Sequence, residues 1–192
     1  MELKFCLNLC EKMRVFIAVE IPEDLRAKIA HASEILERSG LIKGSFVSKE
    51  NLHLTLKFFG NISEEDLEKV KNKLKEIHFH KFDARTEKIG FFPSEDYIKV
   101  IWMGVAAEEL EMLHNLLSES LKGFKSEDKK FESHLTIARV NAIKNKDLLR
   151  EKLKTLNVKS EKFSVDKFSL IKSELTSRGP MYRKISDFNL FG

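Results

Sequence analysis

The run His53-Leu54-Thr55-Leu56 returns, with one conservative change, as His134-Leu135-Thr136-Ile137. With six histidines and five threonines in 192 residues, chance would place far fewer than one His-x-Thr pair. Two pairs with the same apolar neighbours therefore read as a repeat. Both copies lie in runs rich in apolar and β-branched residues, which predicts strands. Residues two apart on a strand share a face, so each motif offers one imidazole and one hydroxyl above an apolar underside. Imidazoles are the side chains best suited to general base and general acid work near neutral pH. Threonine hydroxyls can donate to charge that builds on non-bridging oxygens. Two such motifs facing each other suit displacement at phosphorus, where attacking and leaving oxygens lie on opposite sides. His53 and His134 are the candidate catalytic residues, and Thr55 and Thr136 the candidate substrate-binding ones. No Asp/Glu cluster with ligand-spaced histidine accompanies either motif, so the chemistry is expected to need no metal and no cofactor.

The elements that must carry these motifs follow from periodicity. A strand over 15–19 precedes a helix from Glu23 to Arg38, whose Leu25, Ile29, Ala32 and Leu36 repeat at three and four and which Gly40 closes. A short strand at 45–47 leads to the first motif strand, 51–59. Ser63 caps a second helix, with Glu64, Glu65 and Asp66 at the positive end of its dipole. Strands 79–92 and 97–105 form a hairpin across Pro93-Ser94-Glu95-Asp96. A helix over 108–121, the second motif strand over 131–140, a helix over 147–156, and strands at 162–172 and 181–188 complete the order. Few helices and mostly hairpin-linked strands indicate α+β with antiparallel sheets. The expected architecture is bilobal and pseudo-twofold: two antiparallel sheets facing a central groove, with helices packed outside. Residues 13–192 are expected to form one such domain, and 1–12 a peripheral extension, because Met13-Arg14 opens the first clean strand.

Composition narrows the setting. Hydrophobic residues make up 42% and charged residues 33%, as in a folded protein rather than a disordered one. No apolar run approaches bilayer length and the first twelve residues lack a signal-peptide pattern, so no membrane is expected and a cytoplasmic location is. Cys6 and Cys10 are read as free thiols. A net charge of +4 permits an anionic partner without requiring one. Glutamine is absent while Lys and Glu abound, a thermophile-like composition. His31, His114, His78 and His80 are read as ordinary helix or strand histidines.

In this order the motifs resemble the 2H phosphoesterases, most closely the LigT-like branch, the RNA 2′,3′-cyclic phosphodiesterases also called 2′-5′ RNA ligases. The resemblance spans residues 13–187. It includes Arg14-Val15-Phe16-Ile17-Ala18-Val19, then His53-Leu54-Thr55-Leu56-Lys57-Phe58-Phe59-Gly60, and Gly90-Phe91-Phe92-Pro93-Ser94 before Val100-Ile101-Trp102-Met103-Gly104-Val105. His134-Leu135-Thr136-Ile137-Ala138-Arg139 and Ser173-Glu174-Leu175 followed by Gly179 and Tyr182 complete it. The resemblance implies hydrolysis of RNA 2′,3′-cyclic phosphate ends to 2′-phosphates, with His53 as proton donor, His134 as acceptor, and 2′-5′ ligation as the reverse reaction. It implies an RNA partner, tRNA fragments among the candidates, and a monomer. It also makes Arg139 the phosphate-contacting residue, yet strict alternation from Thr136 turns Arg139 away, so that role needs a strand end or bulge near Ala138. By the same alternation Lys57 shares the His53 face as a solvated lysine and alternative phosphate partner, Phe58 falls in the core, and Tyr182 is a candidate for base stacking. Relatives acting on ADP-ribose cyclic phosphate or 2′-5′ oligoadenylate, and a non-catalytic RNA-end-binding module, are the alternatives.

Overall fold

The computed structural model describes residues 12–127, 130–156, 159–177 and 179–192. Cys6, Cys10 and residues 1–11 lie outside them. Among the described residues four α-helices form where the apolar periodicity requires. In α1 (Glu23–Arg38) the predicted stripe of Leu25, Ile29, Ala32 and Leu36 is buried. Helix α2 (Glu64–Lys75) starts at Ser63, whose hydroxyl accepts from the Asp66 amide at 3.1 Å. Helix α3 (Glu108–Ser120) buries Leu110, Leu113 and Leu117. Helix α4 (Lys146–Thr155) starts at Asn145, whose Oδ1 accepts from the Asp147 and Leu148 amides at 3.0 Å each. Among the described residues no helix is long and apolar enough to cross a membrane.

The strands are β1 (Met13–Glu20), β2 (Ile42–Phe46), β3 (His53–Ile62), β4 (Phe82–Pro93), β5 (Ile98–Ala106), β6 (His134–Ile143), β7 (Lys162–Val165), β8 (Lys167–Thr176) and β9 (Gly179–Asn189). They pair antiparallel in the order β7-β4-β5-β6-β3-β1-β8-β9, with β2 also on β6. The fold is the expected α+β type, and its two antiparallel halves are β7-β4-β5-β6 with β2, and β3-β1-β8-β9. One residue pair, Leu54 with Leu135, joins them into one curled sheet. These leucines are the central residues of the two motifs and both are wholly buried. Equivalent residues paired antiparallel place the pseudo-twofold axis between them.

One sequence expectation fails at Asp166. The single strand read over 162–172 is two, with β7 on β4 and β8 on β1. The break moves the chain from one half of the sheet to the other, and the Asp166 carbonyl that it frees accepts from the Leu190 amide at 2.7 Å. Helices α1 and α3 cover the motif strands, α1 on β2 and β6 and α3 on β3. The main apolar cluster, with Leu54, Leu56, Leu135 and Ile137, therefore lies on the face opposite the motif histidines. A smaller cluster of Phe16, Ala18 and Ile171 holds Phe58 and Tyr182 in place.

Truncating Leu135 to Ala at this seam should destabilise the protein by about 2–5 kcal/mol. Truncation of Leu148, which is 50% exposed on α4, should cost under about 0.5 kcal/mol. Urea denaturation of the two variants checks the difference.

Candidate active site

Because β3 and β6 meet antiparallel at Leu54 and Leu135, each histidine lies across the seam from the other motif's threonine. All five residues singled out in the sequence, His53, Thr55, His134, Thr136 and Arg139, line one cleft of about 550 Å³. Among the described residues no carboxylate or cysteine lines it, whereas Arg14 joins Arg139 there. The charge is that of an anion site.

Two bulges decide which side chains face the cleft. Strand β5 pairs Ile101 with Ala138 and Trp102 with Thr136, so Ile137 is an extra residue. Strand β1 pairs Ile17 with Lys57 and Ala18 with Thr55, so Leu56 is extra in the same position of the other motif. One added residue resets the alternation. Arg139 thereby joins Thr136 on the cleft side, through the bulge that its role required. The same device corrects two expectations in β3. Phe58, read as core, is half-buried and lines the cleft, with the Arg14 guanidinium 4.9 Å from its ring centroid. Lys57, read as solvated beside His53, is only 6% exposed, and its Nζ donates to Ser118 and Ser126 Oγ at 3.3 Å each.

Both bulges are held from outside the motifs. The Leu56 carbonyl accepts from His114 Nδ1–H at 2.7 Å, and the Ile137 carbonyl from the Val47 amide at 2.8 Å. His114, read as an ordinary helix histidine, is thus a brace for the first motif, stacked on Phe131 at 4.2 Å. Gly44 of β2 lies so close to β6 that a Cβ there would collide with the Arg139 carbonyl.

The imidazoles are oriented alike. His53 Nδ1–H donates to the Asn51 carbonyl at 2.7 Å, and His134 Nδ1–H to the Glu132 carbonyl at 2.6 Å. A ring with its proton on Nδ1 leaves Nε2 as the base when neutral and as the donor when charged. In the neutral state His53 Nε2 accepts from the Thr55 hydroxyl at 3.1 Å. Aromatic rings wall both: Phe16 and Tyr182 at 4.8 and 5.1 Å from His53, Phe92 and Trp102 at 5.0 and 5.9 Å from His134. A Cβ at Gly90 would collide with the Trp102 ring, so glycine there lets the indole lie against β4. Tyr182, a candidate in the sequence, does line the cleft, and its phenol pKa is raised by burial against the opposing pull of Arg139 and Arg14. Phe16, Arg14, Phe92 and the Asn51 and Glu132 carbonyls carried no signal in the sequence as site residues. Only the matching i−2 placement of Asn51 and Glu132 before each histidine could have shown the last.

Burial lowers the pKa of both histidines because the charged ring loses its hydration. His53 is lowered to about 4, chiefly by burial, with His134, Arg139 and Arg26 adding repulsion against the Asn51 carbonyl's support. His134 is lowered by burial and by Arg139, opposed by the Glu132 carbonyl and carboxylate. At neutral pH without ligand both rings are neutral, so the cleft holds two unprotonated Nε2 atoms, that of His53 accepting from Thr55. Among the described residues no group of three or more His, Cys, Asp or Glu side chains is placed to hold a metal ion.

Stability should therefore fall as the pH is lowered from 6.5 towards 4. The unfolded chain takes up the His53 proton near 6.5 and the folded chain only near 4, so protons favour unfolding across that window. Complete passage costs roughly 3 kcal/mol for this group. His53→Gln should flatten the slope, which denaturation at a series of pH values measures.

Comparison with known proteins agrees with the geometry. The LigT like Phosphoesterase profile matches residues 19–102 and 104–182. A Methanocaldococcus jannaschii protein named RNA 2′,3′-cyclic phosphodiesterase is 36% identical over 179 residues, covering 92% of this chain and all of that one. A Thermotoga maritima protein of the same name is 31% identical, covering 94% of this chain and 97% of its own. A crystal structure of a Thermus thermophilus protein superposes with a TM-score of 0.77 at 29% identity, covering 94% of this chain and 99% of that one. Escherichia coli LigT without ligand shares the fold, with a TM-score of 0.75 at 21% identity over 95% of this chain and 99% of that one. The chain belongs to the LigT-like phosphoesterase family.

Proposed function

We propose that this protein hydrolyses RNA 2′,3′-cyclic phosphate ends to 2′-phosphates, using His53 and His134 as general acid and base. One observation carries the reading: two imidazoles, each with Nδ1–H bound to a main-chain carbonyl, turn Nε2 into a single cleft that has two arginines and no carboxylate among the described residues. The names of the relatives supply the substrate class.

His134 Nε2 takes a proton from water as its oxygen attacks phosphorus. The bond from phosphorus to the 3′ oxygen breaks on the opposite side, and His53 Nε2–H gives that oxygen its proton. One water is consumed and a 2′-phosphate with a free 3′-hydroxyl results. Thr55, Thr136 and Arg139, which line the same cleft, take the non-bridging oxygens in this reading, where charge grows in the transition state. The acid role asks His53 to be protonated, which burial opposes. A bound phosphate anion reverses that balance, because an opposite charge nearby favours the imidazolium. The proton is thus taken up with the substrate and sits on His53 Nε2, from which the leaving oxygen receives it. With a 5′-hydroxyl in place of water as the attacking group, the same displacement joins RNA ends by a 2′-5′ bond, and its reverse cleaves that bond.

The test is turnover of 2′,3′-cyclic AMP and of a short RNA with a cyclic phosphate end, with EDTA present and the product phosphate located by NMR. Wild type should yield a 2′-phosphate. His53→Ala and His134→Ala should each lower kcat by about 10²–10⁴-fold. Because both free-enzyme pKa values are depressed, kcat/KM should peak below pH 6.5, and kcat at a higher pH, once bound phosphate has raised them. A 3′-phosphate product, or turnover that survives both alanine variants, would overturn the assignment.

A further inference from the structure

A second cavity of about 400 Å³ beside β1 and β8 borders the histidine cleft. Arg14, Ser173 and Leu175 line both spaces, and Arg14 and Ser173 are cross-strand partners of β1 and β8. Lys12 and Lys172 add two cations to the second cavity. Its only carboxylate among the described residues, Glu174, is engaged by Lys172 at 3.0 Å and Arg183 at 3.6 Å. The net charge there is positive. Leu175, 74% exposed, stands between the two spaces as an apolar surface open to solvent.

The chemistry of the substrate says what fits. In a ribose closed as a 2′,3′-cyclic phosphate, both the 2′ and the 3′ oxygens are in the ring. The only way on to the rest of an RNA is the 5′ oxygen and the phosphodiester attached to it. A strand with one negative charge per nucleotide between apolar base faces is matched by cations beside an exposed apolar side chain. We infer that the Lys12–Arg14–Lys172 cavity binds the phosphodiester that links the terminal nucleotide to the one before it, so that an RNA end is a better substrate than a free cyclic mononucleotide. This rests on the function proposed above and adds the substrate's size to it.

The experiment compares kcat/KM at low salt for 2′,3′-cyclic AMP and for a tetranucleotide with a cyclic phosphate end. Wild type, Lys12→Gln/Lys172→Gln and, as a control for overall charge, Lys152→Gln/Lys154→Gln on α4 are run together. The cavity variant should lose about 3- to 30-fold on the tetranucleotide, a loss that shrinks as salt is added, and nothing on the mononucleotide. The α4 variant should match wild type on both. Equal losses on the two substrates, no loss on either, or the same loss in the α4 variant would overturn the inference. Binding of the product ends, the tetranucleotide 2′-phosphate against 2′-AMP, gives a second reading that needs no turnover. If wild type cleaves neither cyclic substrate, the catalytic reading fails, and weaker tetranucleotide binding confined to the cavity variant still decides whether the cavity holds the strand.

Discussion

The pairing of Leu54 with Leu135 is the contact on which the site depends. It is the one main-chain pairing between the motif strands, and it falls on the residue between histidine and threonine in each. Local twofold geometry follows, because equivalent residues meet antiparallel and each strand then departs into its own half of the sheet. Its apolar side faces the core under α1 and α3, which commits the opposite side of both strands to the cleft. The hydrophobic core and the imidazole and hydroxyl groups of the cleft are thus two faces of the same four-residue motif.

On that frame, the bulges at Leu56 and Ile137 do the aiming. Without them β3 would turn Lys57 to the cleft, and β6 would turn Ala138 there in place of Arg139. With them, an aromatic ring and a guanidinium occupy the same relative place on either side of the axis, Phe58 beside the first motif and Arg139 beside the second. The halves are alike in backbone and unlike in chemistry. The carbonyl at each bulge accepts from a donor remote in sequence, His114 in one case and Val47 in the other. That places part of the site's precision in residues outside the two motifs, His114 beyond the cleft and Val47 on its wall.

Much of this was legible in the sequence, and the remainder has a physical reason for being hidden. The repeat, the four residues of the two His-x-Thr pairs, the bounds of α1 and the cap at Ser63 depend on local periodicity and local hydrogen bonds, which sequence displays directly. The facing of Lys57, Phe58 and Arg139 depends on whether a strand bulges, and that is set by partner strands and by His114 on α3. No window around the motif contains that information. The split at Asp166 is similar: residues 162–172 read as one strand because each part is a good strand, and only the need to cross between halves divides them. Both i−2 carbonyls that fix the imidazoles are main-chain atoms, to which residue type is a poor guide.

The central claim is that two rings held in the same tautomer turn their Nε2 atoms into one cleft and share one proton when phosphate is bound. Nitrogen-15 NMR of the histidine side chains, at neutral pH with and without 2′-AMP, measures it directly. The prediction is that His53 and His134 are both neutral with the proton on Nδ1 in the free protein, and that ligand brings one proton to the pair. A proton on Nε2 of either neutral ring, or two rings whose charge is untouched by saturating ligand, would contradict it.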